Sequence, residues 1–177
     1  MAGFAALPEE RAVNGALNAL REQVAEQLRQ AGINAVTGME SARASRWREA
    51  VAAVSLCRVV CAPGGFQDYL GTRQEENGLE RELYGREVEL TLALDIFSPR
   101  DGGESVCQEA AETVAESLVC YGAAGSNALE IQTGQVEFLE KEGLYRQKTT
   151  CRCWAWLVAR MDGGGAFVDF EVKGRRK

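Results

Sequence analysis

Residues 83–103 read LYGREVELTLALDIFSPRDGG, and the middle of this stretch alternates apolar with more polar side chains. One set of alternating positions is Val88, Leu90, Leu92, Leu94 and Ile96, and the other is Glu87, Glu89, Thr91, Ala93 and Asp95. Successive side chains in a β-strand point to opposite faces of the sheet, so residues 86–97 predict a strand with one buried face. The turn-forming residues 99–103 end this strand.

Two segments have the apolar spacing of amphipathic helices. In residues 9–31 the apolar side chains recur at intervals of three or four: Val13, Leu17, Leu20, Val24 and Leu28. Pro8 stands near the first turn and Gly32 follows the last, which are the positions that each residue type favours. Residues 104–121 place Val106, Cys107, Ala110, Val114 and Leu118 on one face. Each predicted helix therefore has an apolar face that can cover a sheet.

The remaining apolar segments predict further strands. They are residues 33–39, 50–61, 129–139, 144–158 and, as an edge strand, 167–172. The short loop 140–143 makes two of them a hairpin, and the polar, arginine-rich residues 41–48 form a connection. Residues 50–61 have apolar side chains on both faces, which is typical of a strand covered on both sides. The predicted fold class is α+β, with a mixed or antiparallel sheet of about four to five strands and two helices packed on one face.

Length and glycine content indicate how the chain is organised. The chain has 177 residues, which suits a single domain, here residues 1–160. Residues 64–84 are rich in glycine and charge and are long for a connector, so we expect a mobile excursion there. Residues 161–177 form a C-terminal extension that contains the edge strand and a basic tail at residues 173–177.

Charge and hydropathy exclude some partners. The formal net charge is −6, and residues 68–116 hold thirteen acidic side chains against four arginines. Such a surface repels nucleic acid, so we expect no specific nucleic-acid partner. The chain begins without a basic leader and has no apolar run near the roughly 20 residues of a membrane span. We therefore expect no membrane partner and a protein that stays in the compartment where it is made.

Six cysteines suggest two opposing interpretations. Without a secretion signal, thiols among apolar neighbours are expected to be reduced and mostly buried. Alternatively, Cys151 and Cys153 share one face of a strand, and Cys57 and Cys61 are also an even number of residues apart. Four thiolates on two adjacent strands would form a zinc or redox site, although the sequence has no CxxC motif.

The sequence has no histidine, which is the commonest general base and metal ligand. Cysteine–histidine and serine–histidine nucleophilic pairs are therefore excluded within this chain. Phosphate-binding and dinucleotide-binding glycine motifs are also absent. We expect no enzymatic activity, no catalytic residues, no cofactor and no metal.

Three segments together resemble a known family. They are residues 62–71, APGGFQDYLG, then the stretch 83–103 followed by its helix, and then a hairpin ending in CRCWAW at residues 151–156. With the leading helix, residues 9–160 resemble prophage proteins of the tail-terminator, or tail-completion, family of long-tailed phages. That family is not defined by a catalytic motif.

The resemblance implies a structural virion protein. Members of the family form rings of six subunits on the end of the finished tail tube, stop its polymerisation and present a surface to the head-side connector. The expected partners are copies of the same chain, the tail tube protein and the connector protein. The expected location is the virion tail, and the cytoplasm of the bacterial host during assembly.

We expect subunit and tube contacts at aromatic and charged residues of residues 64–84 and of the strand 144–158. They are Phe66, Asp68, Tyr69, Leu70, Arg73, Arg81, Tyr84, Arg152, Trp154 and Trp156. Because Arg152, Trp154 and Trp156 share one strand face, the tryptophans either pack in the core under the helices or contact a partner.

Two other functions stay open at this point. One is a neck, head-completion or other minor tail protein. The second, from a different class, is the cysteine-based metal or redox module.

Overall fold

A computed structural model describes residues 8–38 and 48–174 of the chain. Within these residues it has two helices, α1 (Pro8–Gln30) and α2 (Gly103–Tyr121), and one seven-stranded sheet. The strands are β1 (Asn34–Thr37), β2 (Val51–Cys61), β3 (Asp68–Gln74), β4 (Glu80–Pro99), β5 (Ala128–Leu139), β6 (Leu144–Met161) and β7 (Phe167–Gly174). The α+β class is confirmed, whereas the predicted four to five strands were too few. Most of the predicted connection 41–48 and residues 175–177 of the predicted basic tail lie outside the described residues.

The long antiparallel pair β4–β6 runs through the middle of the sheet. Its register extends from Leu83 opposite Arg160 to Pro99 opposite Leu144 without a shift. Both strands are far longer than the usual five or six residues, and neighbouring strands flank different parts of them.

The two ends of the β4–β6 pair have different neighbours. At one end the strand order is β1-β2-β4-β6-β5, which we call the base. At the other end β3 pairs with the start of β4 and β7 pairs with the end of β6, and we call these strand segments the arm. The pairing of β1 with β2 is parallel and makes the sheet mixed.

Both helices pack on one face of the base. The even-numbered side chains of β4 that alternation predicted to be buried are 0–2% exposed and pack with apolar residues of both helices. The helical side chains are Leu20, Val24 and Leu28 from α1, and Cys107, Val114 and Leu118 from α2. We call this side the helix face and the other side the open face. On the open face, the described residues form a small second cluster of buried side chains, Val51, Ala53 and Phe97.

β2 departs from the prediction that it is covered on both sides. Residues 51–54 are buried, but residues 57–61 are exposed. The register against β4 shifts between Leu56 and Arg58, so Cys57 is an extra residue in the strand. The apolar residues beyond this bulge lie where neither face is fully covered.

Residues 64–84 contain strands where the sequence analysis assigned none. β3 and the first residues of β4 form a hairpin whose turn is closed by hydrogen bonds between Glu75 and Leu79 and between Gly78 and Glu75. The polar composition fits this arrangement because β3 is an edge strand with nearly every residue exposed. The mobility of residues 64–84 stays a prediction.

β7 continues the same sheet beyond residue 160. It pairs with β6, contacts α1, and its Val172 packs against the core beneath the helices. No helix within the described residues is both long and apolar enough to cross a membrane.

Leu92→Ala tests where the core lies. Leu92 is 0% exposed at the centre of the helix-face cluster, so its truncation leaves a cavity. We expect the free energy of unfolding to fall by about 2–5 kcal/mol in urea titrations. Leu129→Ala removes the same atoms from a side chain that is 43% exposed and is the matched control. Equal losses in the two variants would contradict this account of the core.

Candidate subunit interface

The ten predicted interface residues fall into three groups. The aromatic residues Phe66, Tyr69 and Tyr84 meet in the arm. The charged residues are Asp68, Arg73 and Arg81, which lie along the β3–β4 hairpin. The remaining group, on the open face, comprises Leu70, Arg152, Trp154 and Trp156.

The arm contains an aromatic cluster of five rings. Phe66 lies 5.0 Å from Phe167 and 5.4 Å from Phe170 between ring centroids. Tyr84 lies 5.7 Å from Tyr69 and 5.8 Å from Phe167 in edge-to-face contacts. Such pairs stabilise beyond the area that they bury, and Tyr69 is still 57% exposed. The cluster therefore joins the β3–β4 hairpin to β7 and leaves one ring available to a partner.

The sequence analysis missed Phe167 and Phe170 as members of this cluster. Three positions separate them, so a regular strand would point them to opposite faces. A register shift in β7 and the positive φ of Asp169, 53°, bend the strand and bring both rings to Phe66. No local sequence pattern predicts this bulge.

Ion pairs tie together the two hairpins of the arm. Arg160 on β6 pairs with Glu75 at the tip of the β3–β4 hairpin and with Asp169 on β7. Arg73 pairs with Glu171 at 2.8 Å, and the Nε atom of Arg81 lies 3.8 Å from Glu75. Most of these side chains are partly exposed, so each pair contributes little alone. Together they hold the arm in one arrangement.

On the open face, Arg152 lies between two acids. Its Nη2 is 3.3 Å from Glu130 on β5, and its Nε is 3.9 Å from Glu89 on β4. The indole Nε1 of Trp154 donates a hydrogen bond of 3.3 Å to Glu89. The hypothesis that the tryptophans pack in the core under the helices is wrong, because both stand on the opposite face and are half-buried.

Leu70 and Trp156 both lie over Gly85. A Cβ atom on Gly85 would lie 2.7 Å from Leu70 Cδ1 and 2.8 Å from Trp156 Cε3. Leu70 occupies the register shift of β3 and is 40% exposed. The close contact positions one apolar side chain of the arm beside the open face of the base.

A second exposed patch lies at the C-terminal ends of the helices, and the sequence analysis did not identify it. Val119 and Tyr121 are each 72% exposed and line a groove of about 980 Å³ between α1 and α2. The side chain of Gln27 connects the two sides of this groove. Its amide NH2 donates hydrogen bonds to Ser117 Oγ and Gly122 O, and its amide oxygen accepts one from Ala124 N. The sequence indicates this exposure only in that Val119 and Tyr121 lie off the apolar face of α2.

The cysteines do not form the four-thiol cluster that the sequence allowed. β4 lies between β2 and β6, which separates Cys57 and Cys61 from the Cys151–Cys153 pair. The bulge at Cys57 also breaks the even spacing to Cys61. Within the described residues, no three cysteine, aspartate or glutamate side chains are grouped as metal ligands.

No family model matches the sequence, and no curated protein matches it. A chain from a solved structure described as "Virion of native gene transfer agent (GTA) particle" is similar in structure. The two chains are 16% identical, with a TM-score of 0.38 over 81% of this chain and 96% of that chain. At that identity and score the likeness does not indicate a function for this chain.

Gly85→Ala tests the contact between the arm and the open face. The added methyl group displaces Leu70 or Trp156, so we expect a loss of about 1–3 kcal/mol and a shifted tryptophan fluorescence spectrum. Gly134→Ala is the control in another strand, because its Cβ would meet Lys148 O at 3.4 Å, an ordinary contact. A Gly85→Ala protein with the stability and emission of the wild type would refute the contact.

The expectation that the cysteines are mostly buried is wrong for half of them, and thiol reactivity tests their positions. Cys107, Cys151 and Cys153 are buried, but Cys57, Cys61 and Cys120 are exposed. Burial raises the pKa of Cys151 to about 12 and that of Cys153 to about 11, so both stay protonated and unreactive at pH 8. We expect three thiols to react in the native protein and six after denaturation. Native reaction of Cys151 or Cys153, located by mass spectrometry, would contradict the structure.

Proposed function

We propose that this chain is a structural subunit that forms a ring, caps a phage-type tail tube, stops its polymerisation and joins it to the head-side connector. The observation that carries the proposal is that both described helices pack on one face of the sheet, so that the described residues form two different broad surfaces. The resemblance of residues 9–160 to tail terminators supports the same function.

A ring requires two non-identical surfaces that fit each other, so that each contact leaves one of each kind free for the next copy. The helix face and the open face of the base are not identical, and we propose that they are these two surfaces. A subunit with one self-complementary surface would instead favour closed two-fold pairs. The layered arrangement therefore suits repeated head-to-tail association.

The tube requires a third surface, and we assign it to the arm. The arm lies at the opposite end of the β4–β6 pair from most of the base, and it exposes Tyr69 and Leu70. Its aromatic cluster and ion pairs hold two hairpins in a fixed arrangement, which lowers the entropy cost of binding.

We further propose that the protein acts by binding alone, without catalysis. Its acidic residues suit a passage for DNA, because like charge prevents nucleic acid from adhering to the ring.

Electron microscopy with tail tube protein from the same genome tests this function. We expect closed rings of uniform size at high protein concentration, and tubes of limited length with a ring at one end when both proteins are mixed. Lysozyme at the same concentration is the control for nonspecific effects on tube growth. Tubes of unchanged length, together with a salt-resistant dimer, would rule out the capping function. Binding to the connector protein alone would favour the neck or head-completion alternative.

A second test addresses the arm. Tyr69→Ala with Leu70→Ala removes exposed apolar surface and leaves the base intact, so we expect rings to form but to bind tube ends at least about tenfold more weakly. Leu129→Ala with Phe138→Ala removes comparable exposed surface, 43% and 39% exposed, from the edge strand β5 of the base and is the matched control. Loss of tube binding in the control alone would show that the arm is not the tube surface.

A further inference from the structure

The groove between α1 and α2 combines the ends of two helices with an exposed aromatic residue. α1 ends at Gln30 and α2 at Tyr121, and both residues line the groove. The last carbonyl groups of a helix have no partner within the helix and carry the negative end of its dipole. Tyr121 is 72% exposed. A guanidinium group, which donates several hydrogen bonds in one plane and stacks on aromatic rings, fits these features.

Within residues 8–38 and 48–174, no arginine or lysine lines this groove. α2 has no basic residue in its last turn. Arg29 lies in the last turn of α1, but its guanidinium donates to the carbonyl of Ala35 and pairs with Glu26 at 2.9 Å. The described part of the chain therefore supplies no cation to a groove at the negative ends of two helices.

The end of β7 lies at the rim of the same groove. Gly174 pairs with Ala155, whose side chain belongs to the core beneath the helices, so position 174 faces the helices as well. A Cβ atom on Gly174 would overlap the backbone of Gly125 and Ser126. Gly125 lines the groove. β7 therefore ends against the turn that connects α2 to β5.

Three basic residues follow this point in the sequence. Gly174 is the last described residue, and residues 175–177 are Arg-Arg-Lys. β7 cannot continue far along β6, because β5 already pairs with β6 at Cys153, two positions beyond Ala155. Three residues span up to about 10 Å, so the basic side chains are within reach of the groove that Gly125 lines.

We propose that this groove binds the guanidinium groups of Arg175 and Arg176 of the same chain. The guanidinium groups donate to the C-terminal carbonyls of α1 and α2 and stack on Tyr121. The contact fastens the end of β7 to both helices and covers the exposed patch at Val119 and Tyr121. It goes beyond the proposed ring function and does not depend on it.

A double-mutant cycle tests the contact. Arg175→Gln with Arg176→Gln removes two cations from the helix ends, so we expect the melting temperature to fall by about 2–4 °C. Tyr121→Ala removes the stacking surface. In the Tyr121→Ala background, the same two arginine changes should lower the melting temperature by less than half as much, because their partner is already missing.

Arg58→Gln with Lys141→Gln is the matched control. It removes the same charge from exposed positions in β2 and in the β5–β6 turn, away from the groove. Its effect on the melting temperature should be the same with Tyr121 and with Ala at position 121, which separates a local contact from a change in net charge.

Nuclear magnetic resonance of the wild-type chain, at a concentration where it is monomeric, locates the arginines directly. We expect nuclear Overhauser effects between the side-chain protons of Arg175 or Arg176 and the ring of Tyr121. Arginine changes that add to Tyr121→Ala without coupling, or arginines with no such effects, would overturn the proposal. Coupling confined to concentrations at which copies associate would assign the groove to the residues of a second copy and overturn it as well. Each of these results leaves the ring function to its own test by electron microscopy.

Discussion

The uninterrupted pairing of β4 with β6 is the constraint on which the other features of the structure depend. Because its register has no shift from Leu83 to Pro99, alternate side chains stay on one face along the whole pair. The even positions of β4 supply the apolar floor on which α1 and α2 pack. A shift of one residue would instead place Glu87, Glu89 and Asp95 beneath the helices, at a large cost in desolvation.

The length of this pair also explains why the molecule has two parts. The helices cover the base, and the strands continue beyond it into the arm. There, aromatic contacts and ion pairs join the β3–β4 hairpin to β6 and β7. The base has a helix face, formed by α1 and α2, and an open face, formed by the strands themselves. The same pairing that builds the core thus separates three surfaces, and we propose that two of them bind copies of the chain and the third a different partner.

Sequence reasoning succeeded where strands and helices are regular. The alternation in β4 and the helical spacing in α1 and α2 depend only on local geometry, and Arg152, Trp154 and Trp156 share a face as their spacing indicates. It failed at irregularities. The bulge at Cys57, the bend at Asp169 and the edge strand β3 depend on tertiary pairing, because nothing in the local composition specifies where register shifts. The aromatic cluster and the true positions of the thiols were therefore not predictable.

The central claim is that a sheet with both described helices on one side makes a subunit with two complementary sides. Electron cryomicroscopy of the assembled protein tests this most directly, since it locates every helix and strand relative to the neighbouring copy. The account predicts the helix face of each subunit lying against the open face of the next subunit, with the arms directed to one side of the ring. An assembly in which open faces meet each other about a two-fold axis, or remain in solvent, would contradict it.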